Sequence, residues 1–357
     1  SDALHDATNV YGSGTHYRVL AGFSANLVED VQANVLFQYH NLWDGNTAGS
    51  NLDHYWNQVT LVEANLVLSN LFDRFELTVG RQFYGDEDSA LIYFGPDHYI
   101  FNMNAAPSLD AAKLYYSDDF KTITLLAGKY TEYDELGVAQ SENDVYGLDI
   151  KLNLTDAWKL QAYGYDLKSS EEDWKHVGFY GAKLGYFADA GSLSAEYARG
   201  FGGNQLFDEY HNNPYMVKVD AALNVEAFTP RAAFLYGKGV VSPLGNYRPG
   251  LLVGHARNIF EYSEDLATGA NNGIRMFNIG VDYTAGKWIF SLDGYSFQDR
   301  SANEAATLEA DLNVKYNHND YVQLFAGVGY GKYGGNAKEA LDAKDNTIGQ
   351  LGMLVKF

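Results

Sequence analysis

Apolar residues recur at every second position in this chain, in segment after segment from one end to the other. Val217, Val219, Ala221, Leu223, Val225 and Ala227 share one face of a run whose other face carries Lys218, Asp220, Ala222, Asn224 and Glu226. Ile150, Leu152 and Leu154 alternate with Asp149, Lys151 and Asn153, and Leu308, Ala310, Leu312 and Val314 alternate with Glu309, Asp311, Asn313 and Lys315. A period of two is the spacing of side chains on one face of a β-strand, so the chain is all-β. Seventeen such segments can be read, centred near residues 22, 37, 62, 79, 113, 126, 149, 163, 182, 196, 221, 233, 280, 292, 312, 327 and 352.

Alternation alone does not separate a soluble sandwich from a membrane barrel, because either buries one face of each strand. The connections separate them. Short ones (Val28-Glu29-Asp30, Ser69 to Asp73, Ser117 to Phe120, Thr155-Asp156-Ala157, Asp189-Ala190-Gly191, Thr229-Pro230, Ala285-Gly286-Lys287, Asn317 to Asp320) alternate with long polar ones, including residues 44–53, 85–107, 132–144, 169–176, 201–214, 240–273, 299–306 and 333–347. Short turns on one side and long loops on the other are the signature of a transmembrane antiparallel β-barrel. A sandwich has no reason to sort its loops by parity. No run of about 18 apolar residues is present for a spanning helix, whereas a membrane strand needs only about 10 alternating residues.

The first clear strand, near residues 17–28, and the last run toward the same side. A barrel of even strand number therefore needs one more strand, supplied weakly by residues 2–11 or lying upstream of Ser1. The expectation is a single barrel domain over residues 1–357, of about 18 strands, with its long loops at 85–107 and 240–273. No signal peptide is visible at Ser1, as expected of a processed export product. Aromatics near strand ends (Trp43, Trp56, Phe72, Tyr84, Trp158, Phe187, Tyr283, Trp288, Phe297) fit belts at two membrane interfaces, and 28 Tyr suit wet–apolar boundaries.

The chain closes on Gln350-Leu351-Gly352-Met353-Leu354-Val355-Lys356-Phe357. Gln350, Gly352, Val355 and the terminal aromatic Phe357 resemble the C-terminal signal through which bacterial barrel-assembly machinery recognises its clients, a β-augmentation event. The segment Leu77-Thr78-Val79-Gly80-Arg81-Gln82, followed by Tyr84-Gly85-Asp86, a long loop and Leu109-Asp110-Ala111-Ala112-Lys113-Leu114-Tyr115-Tyr116, is similar to the alginate export family of outer-membrane barrels. Residues 17–23 and 27–37 fit the same pattern. The resemblance covers about a third of the chain. It implies a barrel of about 18 strands and, for the alginate exporters, an arginine-rich lumen suited to a polyuronate. That arginine richness is missing here.

Sorting strands by parity gives an expected pore lining of Arg18, Arg81, Lys113, Lys151, Lys159, Lys183, Lys218, Arg231 and Lys315 against Glu63, Glu76, Asp149, Asp220, Glu226, Asp282, Asp293, Glu309 and Asp311. Arg81 breaks strict alternation with Leu77 and Val79. It turns inward only if Gly80 seats a bulge, and otherwise lies at the outer rim. The signs nearly balance, so most of the net charge of −21 lies in loops such as Asp86-Glu87-Asp88 and Glu171-Glu172-Asp173. That charge disfavours nucleic acid, which needs a basic footprint. With no Cys, disulfides and thiolate chemistry are excluded. No Gly-x-Ser-x-Gly, His-Glu-x-x-His or Gly-Lys-Ser/Thr phosphate loop occurs, and no metal or cofactor is expected.

These features predict a channel of the bacterial outer membrane for passive diffusion of ions and small polar solutes, and not an enzyme. It would sit in outer-membrane lipid and lipopolysaccharide, as a monomer rather than a trimer. An exporter of an anionic polysaccharide and a non-conducting scaffold barrel are the alternatives. The loops 85–107 and 240–273 carry Leu91, Ile92, Tyr93, Phe94, Tyr99, Ile100, Phe101, Leu251, Leu252, Val253, Ile259, Phe260 and Tyr262. Apolar groups on external loops are costly to leave in water, so both loops are expected to fold inward and narrow the pore.

Overall fold

The computed structural model describes residues 16–42, 59–96, 107–133, 139–169, 177–202, 214–239, 241–242, 244–253, 273–299, 305–334 and 345–355. All seventeen segments read from the alternation are strands. They are β1 (His16–Val28), β2 (Val31–Leu42), β3 (Val59–Leu71), β4 (Phe75–Gln82), β7 (Leu109–Ser117), β8 (Lys121–Tyr133), β9 (Ala139–Asn153), β10 (Trp158–Ser169), β11 (Val177–Ala188), β12 (Gly191–Gly202), β13 (Tyr215–Leu223), β14 (Phe228–Lys238), β15 (Gly273–Ala285), β16 (Trp288–Asp299), β17 (Thr307–Asn317), β18 (Val322–Lys332) and β19 (Asn346–Val355). Two further two-residue strands, β5 (Tyr84–Gly85) and β6 (Tyr93–Phe94), form a small hairpin in the loop after β4.

Each long strand pairs antiparallel with the next, β4 going on to β7, so the sheet is an uninterrupted up-and-down meander. β1 and β19 run in the same direction. No ladder joins them among the described residues, and the extra strand expected from residues 2–11 lies outside those residues. One short turn differs from the sequence reading. Thr229 and Pro230 belong to β14, and the turn falls at residues 224–227, closed by reciprocal Val225–Phe228 backbone bonds.

The sheet is inside out relative to a soluble protein. One face carries large apolar residues in the open, among them Ile279 at 71% and Leu351 at 81% exposure. The other face carries Asn65, Thr78, Asp149, Lys218, Asn278, Asp293, Glu309 and Asp311, all buried. Aromatic pairs band the outer face at its short-turn end: Phe75 with Tyr116, Trp158 with Tyr186, Phe228 with Tyr283 and Trp288 with Tyr316. Amphipathic rings at that level match a membrane interface. Three of the expected belt residues lie elsewhere: Phe297 faces inward and is fully buried, Phe187 faces inward with Lys159 over its ring, and Tyr84 belongs to the small hairpin; Trp43 and Trp56 lie outside the described residues.

The apolar core fills the long-loop end of the lumen. Leu109, Val145, Phe179, Met216, Leu235, Ile274 and Phe297 point inward from the loop-proximal ends of their strands and are 0% exposed. They pack on Ala90, Leu91, Ile92 and Phe94 of the β5–β6 loop and on Val241 and Val253 of the β14–β15 loop. A barrel wall this polar on its inner face has no reason to carry such residues unless something apolar sits against them.

Candidate functional site: a constriction inside the barrel

The two infolded segments, the β5–β6 hairpin with its flanks (84–96) and a strap (241–242 and 244–253), meet across the lumen. Ile92 and Leu244 form a parallel bridge, with Tyr93 N–H donating to Leu244 C=O at 2.8 Å and Asn246 N–H to Ser89 C=O at 2.7 Å. Ser242 donates its hydroxyl to Leu91 C=O. These backbone bonds satisfy groups that an inward loop would otherwise bury unpaired. On one side of the barrel the hairpin is tied to β10 by Tyr84 Oη and Tyr165 Oη, 2.7 Å apart. Burial pushes the Tyr84 hydroxyl up to about 12, so it stays neutral and hydrogen-bonding at neutral pH. On the opposite side the strap reaches β17. Leu251 N–H donates to Asp311 Oδ2 at 2.8 Å, and Leu252 and Val253 N–H donate to the two oxygens of Glu309. The infolding expected from sequence is therefore present for the described parts of both loops; Tyr99, Ile100, Phe101, Ile259, Phe260 and Tyr262 lie outside the described residues.

Beside the strap lies a cavity of about 420 Å³, bounded by Asp88, Lys218, Asp220, Arg231, Tyr247, Arg248, Asn278, Tyr295, Asp311 and Asn313. Its cations are already engaged. Lys218 Nζ lies 4.1 Å over the Tyr247 ring and 3.5 Å from Asp220. Arg231 contacts Asp293 at 2.6 Å and Asp282 at 3.1 Å, and Asn278 adds a hydrogen bond to Asp293. Asp293 is 4% exposed. Such a carboxylate is tolerable only because it is paired and hydrogen-bonded. Counting Asp282 and Asp293 with the boundary, five carboxylates face three cationic groups.

Sixteen of the eighteen residues assigned to the pore by parity project from the inner face. Strand register carries them there: Lys151 pairs across to Gln161, Gln161 to Lys183 and Lys183 to Glu196, all on that face. Arg81 and Glu226 do not. At Arg81 the ladder runs without a bulge, Asn65 to Gly80 and Ala64 to Arg81, so parity holds and Arg81 faces outward. Gly80 sits at φ +121°, where a Cβ would meet Ala64 O at 2.3 Å, yet it does not break the register. Arg81 grips Asp110 through two nitrogens, at 2.9 and 2.7 Å, on the outer face at the loop end. Glu226 belongs to the short β13–β14 turn, with φ +54°, because β13 ends at Leu223. Two kinds of residue were missed. Glu196 faces inward and accepts from Tyr163 Oη at 2.6 Å. The alternation of Ser192, Ser194 and Glu196 with Leu193, Ala195 and Tyr197 could have revealed it. Tyr247, Arg248 and Asp88 come from loops, where no period exists to read.

In the assembly motif, Gly352 has a local reason. The Phe325 ring lies against it from β18, and a Cβ there would meet ring carbons at 2.2 Å. Gln350 faces inward and Val355 outward. Phe357 lies outside the described residues.

No family model and no curated protein sequence matches the chain. Solved structures do. OccD3 (OpdP) of Pseudomonas aeruginosa aligns with a TM-score of 0.62 at 11% identity, over 96% of this chain and 86% of that one. OprD of the same organism gives 0.62 at 12%, over 96% and 88%. OccK2 (OpdF), in complex with glucuronate, gives 0.63 at 11%, over 96% and 92%. The fold is that of the OprD/Occ outer-membrane porins. Sequence identity this low carries the fold alone, and the alginate export resemblance finds no counterpart among these structures.

Proposed function

We propose that this protein is a channel of the Gram-negative outer membrane, through which ions and small polar solutes diffuse past a constriction formed by its own infolded loops. The observation that carries the reading is the inversion of the barrel: an apolar, aromatic-banded outer face and a charged inner face. A protein in water would bury the first and expose the second, whereas a pore in lipid needs this arrangement. The short turns would face the periplasm and the long acidic loops the exterior. Assembly would pass through recognition of the terminal strand by the barrel-assembly machinery.

The inner wall supports passive diffusion over export of a polyuronate. Lys218 pairs with Asp220 on its own strand, and Arg231 with Asp282 and Asp293 on the two strands that follow, which works against a basic track for a polyanion at this level of the lumen. One structural neighbour holds glucuronate, so a single uronic acid is a solute worth testing, but the excess of carboxylates around the cavity favours neutral or cationic ones. The test is a planar-bilayer recording of the purified protein. Discrete open channels are expected. Absence of conductance from correctly folded protein would instead favour a scaffold barrel, and block by added polyuronate an exporter.

A further inference from the structure

We propose that Glu309 and Asp311 are positioning residues that clamp the strap to the barrel wall and thereby set the size limit of the channel; this rests on the channel reading above. Both carboxylates sit on the inner face of β17, at 3% and 2% exposure. Between them they accept three consecutive backbone N–H groups, those of Leu251, Leu252 and Val253. Consecutive amides aimed one way make a local positive pole, and carboxylates receiving them form short, charge-assisted bonds. Two buried carboxylates side by side repel, and the amides are what makes holding both there tolerable.

The surroundings are shaped for this contact. Gly250 leads into the amides at φ +83°, and a Cβ on it would strike the Glu309 carboxylate at 2.7 Å, so only glycine lets the backbone come this close. On the neighbouring strand β18 the inward positions beside the clamp are Gly327, Gly329 and Gly331. A Cβ on these would meet Leu251 Cδ1 at 3.1 Å, Leu251 Cβ at 3.1 Å and Leu252 Cδ2 at 2.6 Å respectively. Three alternate glycines weaken a strand. Here they form a flat seat into which the two leucines press. The strap is thus fixed chemically by β17 and sterically by β18, while its other end is bonded to the equally infolded hairpin through Ser242, Leu244 and Asn246 and meets β13 where Lys218 lies over the Tyr247 ring. Releasing the clamp frees the end of the strap at residues 250–253 to move away from the wall and from the cavity beside it.

The experiment compares single-channel conductance, and liposome swelling in sugars of increasing size, for the wild type and for Glu309→Ala with Asp311→Ala. Conductance is expected to rise at least twofold, with admission of larger sugars. If the alanine pair inserts poorly, Glu309→Gln with Asp311→Asn keeps the side-chain volumes, removes the charges and should give a smaller rise in the same direction. A tether isolates strap position from charge. The chain has no cysteine, and Leu251 Cβ lies 3.1 Å from where a Cβ on residue 329 would stand, close to disulfide range. The nearest clash of that Cβ, with Asp311 Oδ1 at 2.5 Å, vanishes in the alanine background. Adding Leu251→Cys and Gly329→Cys there should return conductance to the wild-type level when oxidised and release it on reduction. Wild-type conductance in the alanine pair, or a tether that forms without lowering conductance, overturns the clamp. A wild type that never conducts overturns the channel reading itself.

Discussion

Replacing Asp220 by Asn removes one of the five carboxylates around the constriction cavity, and the consequence for ion selectivity can be worked out. Five carboxylates against Lys218, Arg231 and Arg248 leave a formal charge of −2. An ion about 6 Å from that charge feels about 1.4 kcal/mol in a water-like dielectric, and a Debye length of about 10 Å at 0.1 M salt lowers this to about 0.8 kcal/mol. Cations are then enriched, and anions depleted, by about fourfold each, a permeability ratio of about fifteen. Across a tenfold KCl gradient the zero-current potential should be about 45 mV in the cation-selective sense, against an ideal limit of about 59 mV. Asp220→Asn halves the formal charge and should lower it to about 25 mV, while Lys218→Gln should raise it above about 50 mV. The assay is the zero-current potential in planar bilayers, repeated at 1 M salt, where screening should bring all three proteins together. An anion-selective wild type, or variants that move the potential in the opposite order, would refute the assignment of the selectivity to these charges.

Three further outcomes follow from the geometry. Arg231→Ala leaves Asp293 buried without its partner and should cost about 2–3 kcal/mol of barrel stability, read as a lower urea midpoint in detergent; recovery of most of the loss in Arg231→Ala with Asp293→Ala is expected, and an unshifted single variant would remove the network from the stability account. On the outer face, Asp110→Leu strands Arg81 against the lipid boundary at about 0–1 kcal/mol, and Arg81→Leu with Asp110→Leu should insert as well as the wild type or better; a double variant worse than either single one would mean that the pair does more than neutralise itself. Deleting Phe357 should lower the folded fraction in outer-membrane preparations without altering the conductance of the channels that do insert, and an unchanged folded fraction would remove the terminal aromatic from the assembly signal.

How much of this was legible in the sequence depends on whether a residue obeys a period. Strand residues do, because the pleat sends neighbours to opposite faces. All seventeen long strands, and the inward placement of residues as far apart as Arg18 and Lys315, could be read from alternation and from the sorting of turns by length. Exceptions arose where the chain leaves the ladder or where a second rule competes. Glu226 continues the alternation of Val217 to Ala227 on paper, but the strand stops at Leu223 and the chain turns. Arg81 counts toward the pore only if Gly80 seats a bulge; the ladder runs without one, so Arg81 takes the other option, the outer rim, where Asp110 on the neighbouring strand pairs with it. The infolding of the two long loops was also legible, from hydrophobicity alone, since Leu91, Ile92, Leu252 and Val253 had to find cover. Where they would find it was not. The clamp joins backbone amides of 251–253 to carboxylates 56 to 60 positions away along the chain, and an amide has the same chemistry in every residue but proline. The only local trace was the run Gly327-Val328-Gly329-Tyr330-Gly331, which reads as a weak strand until Leu251 and Leu252 are placed against it. A glycine row on the inner face of a barrel strand is therefore worth reading as the imprint of something that packs there, and a nearby pair of inward carboxylates as a candidate for what holds it.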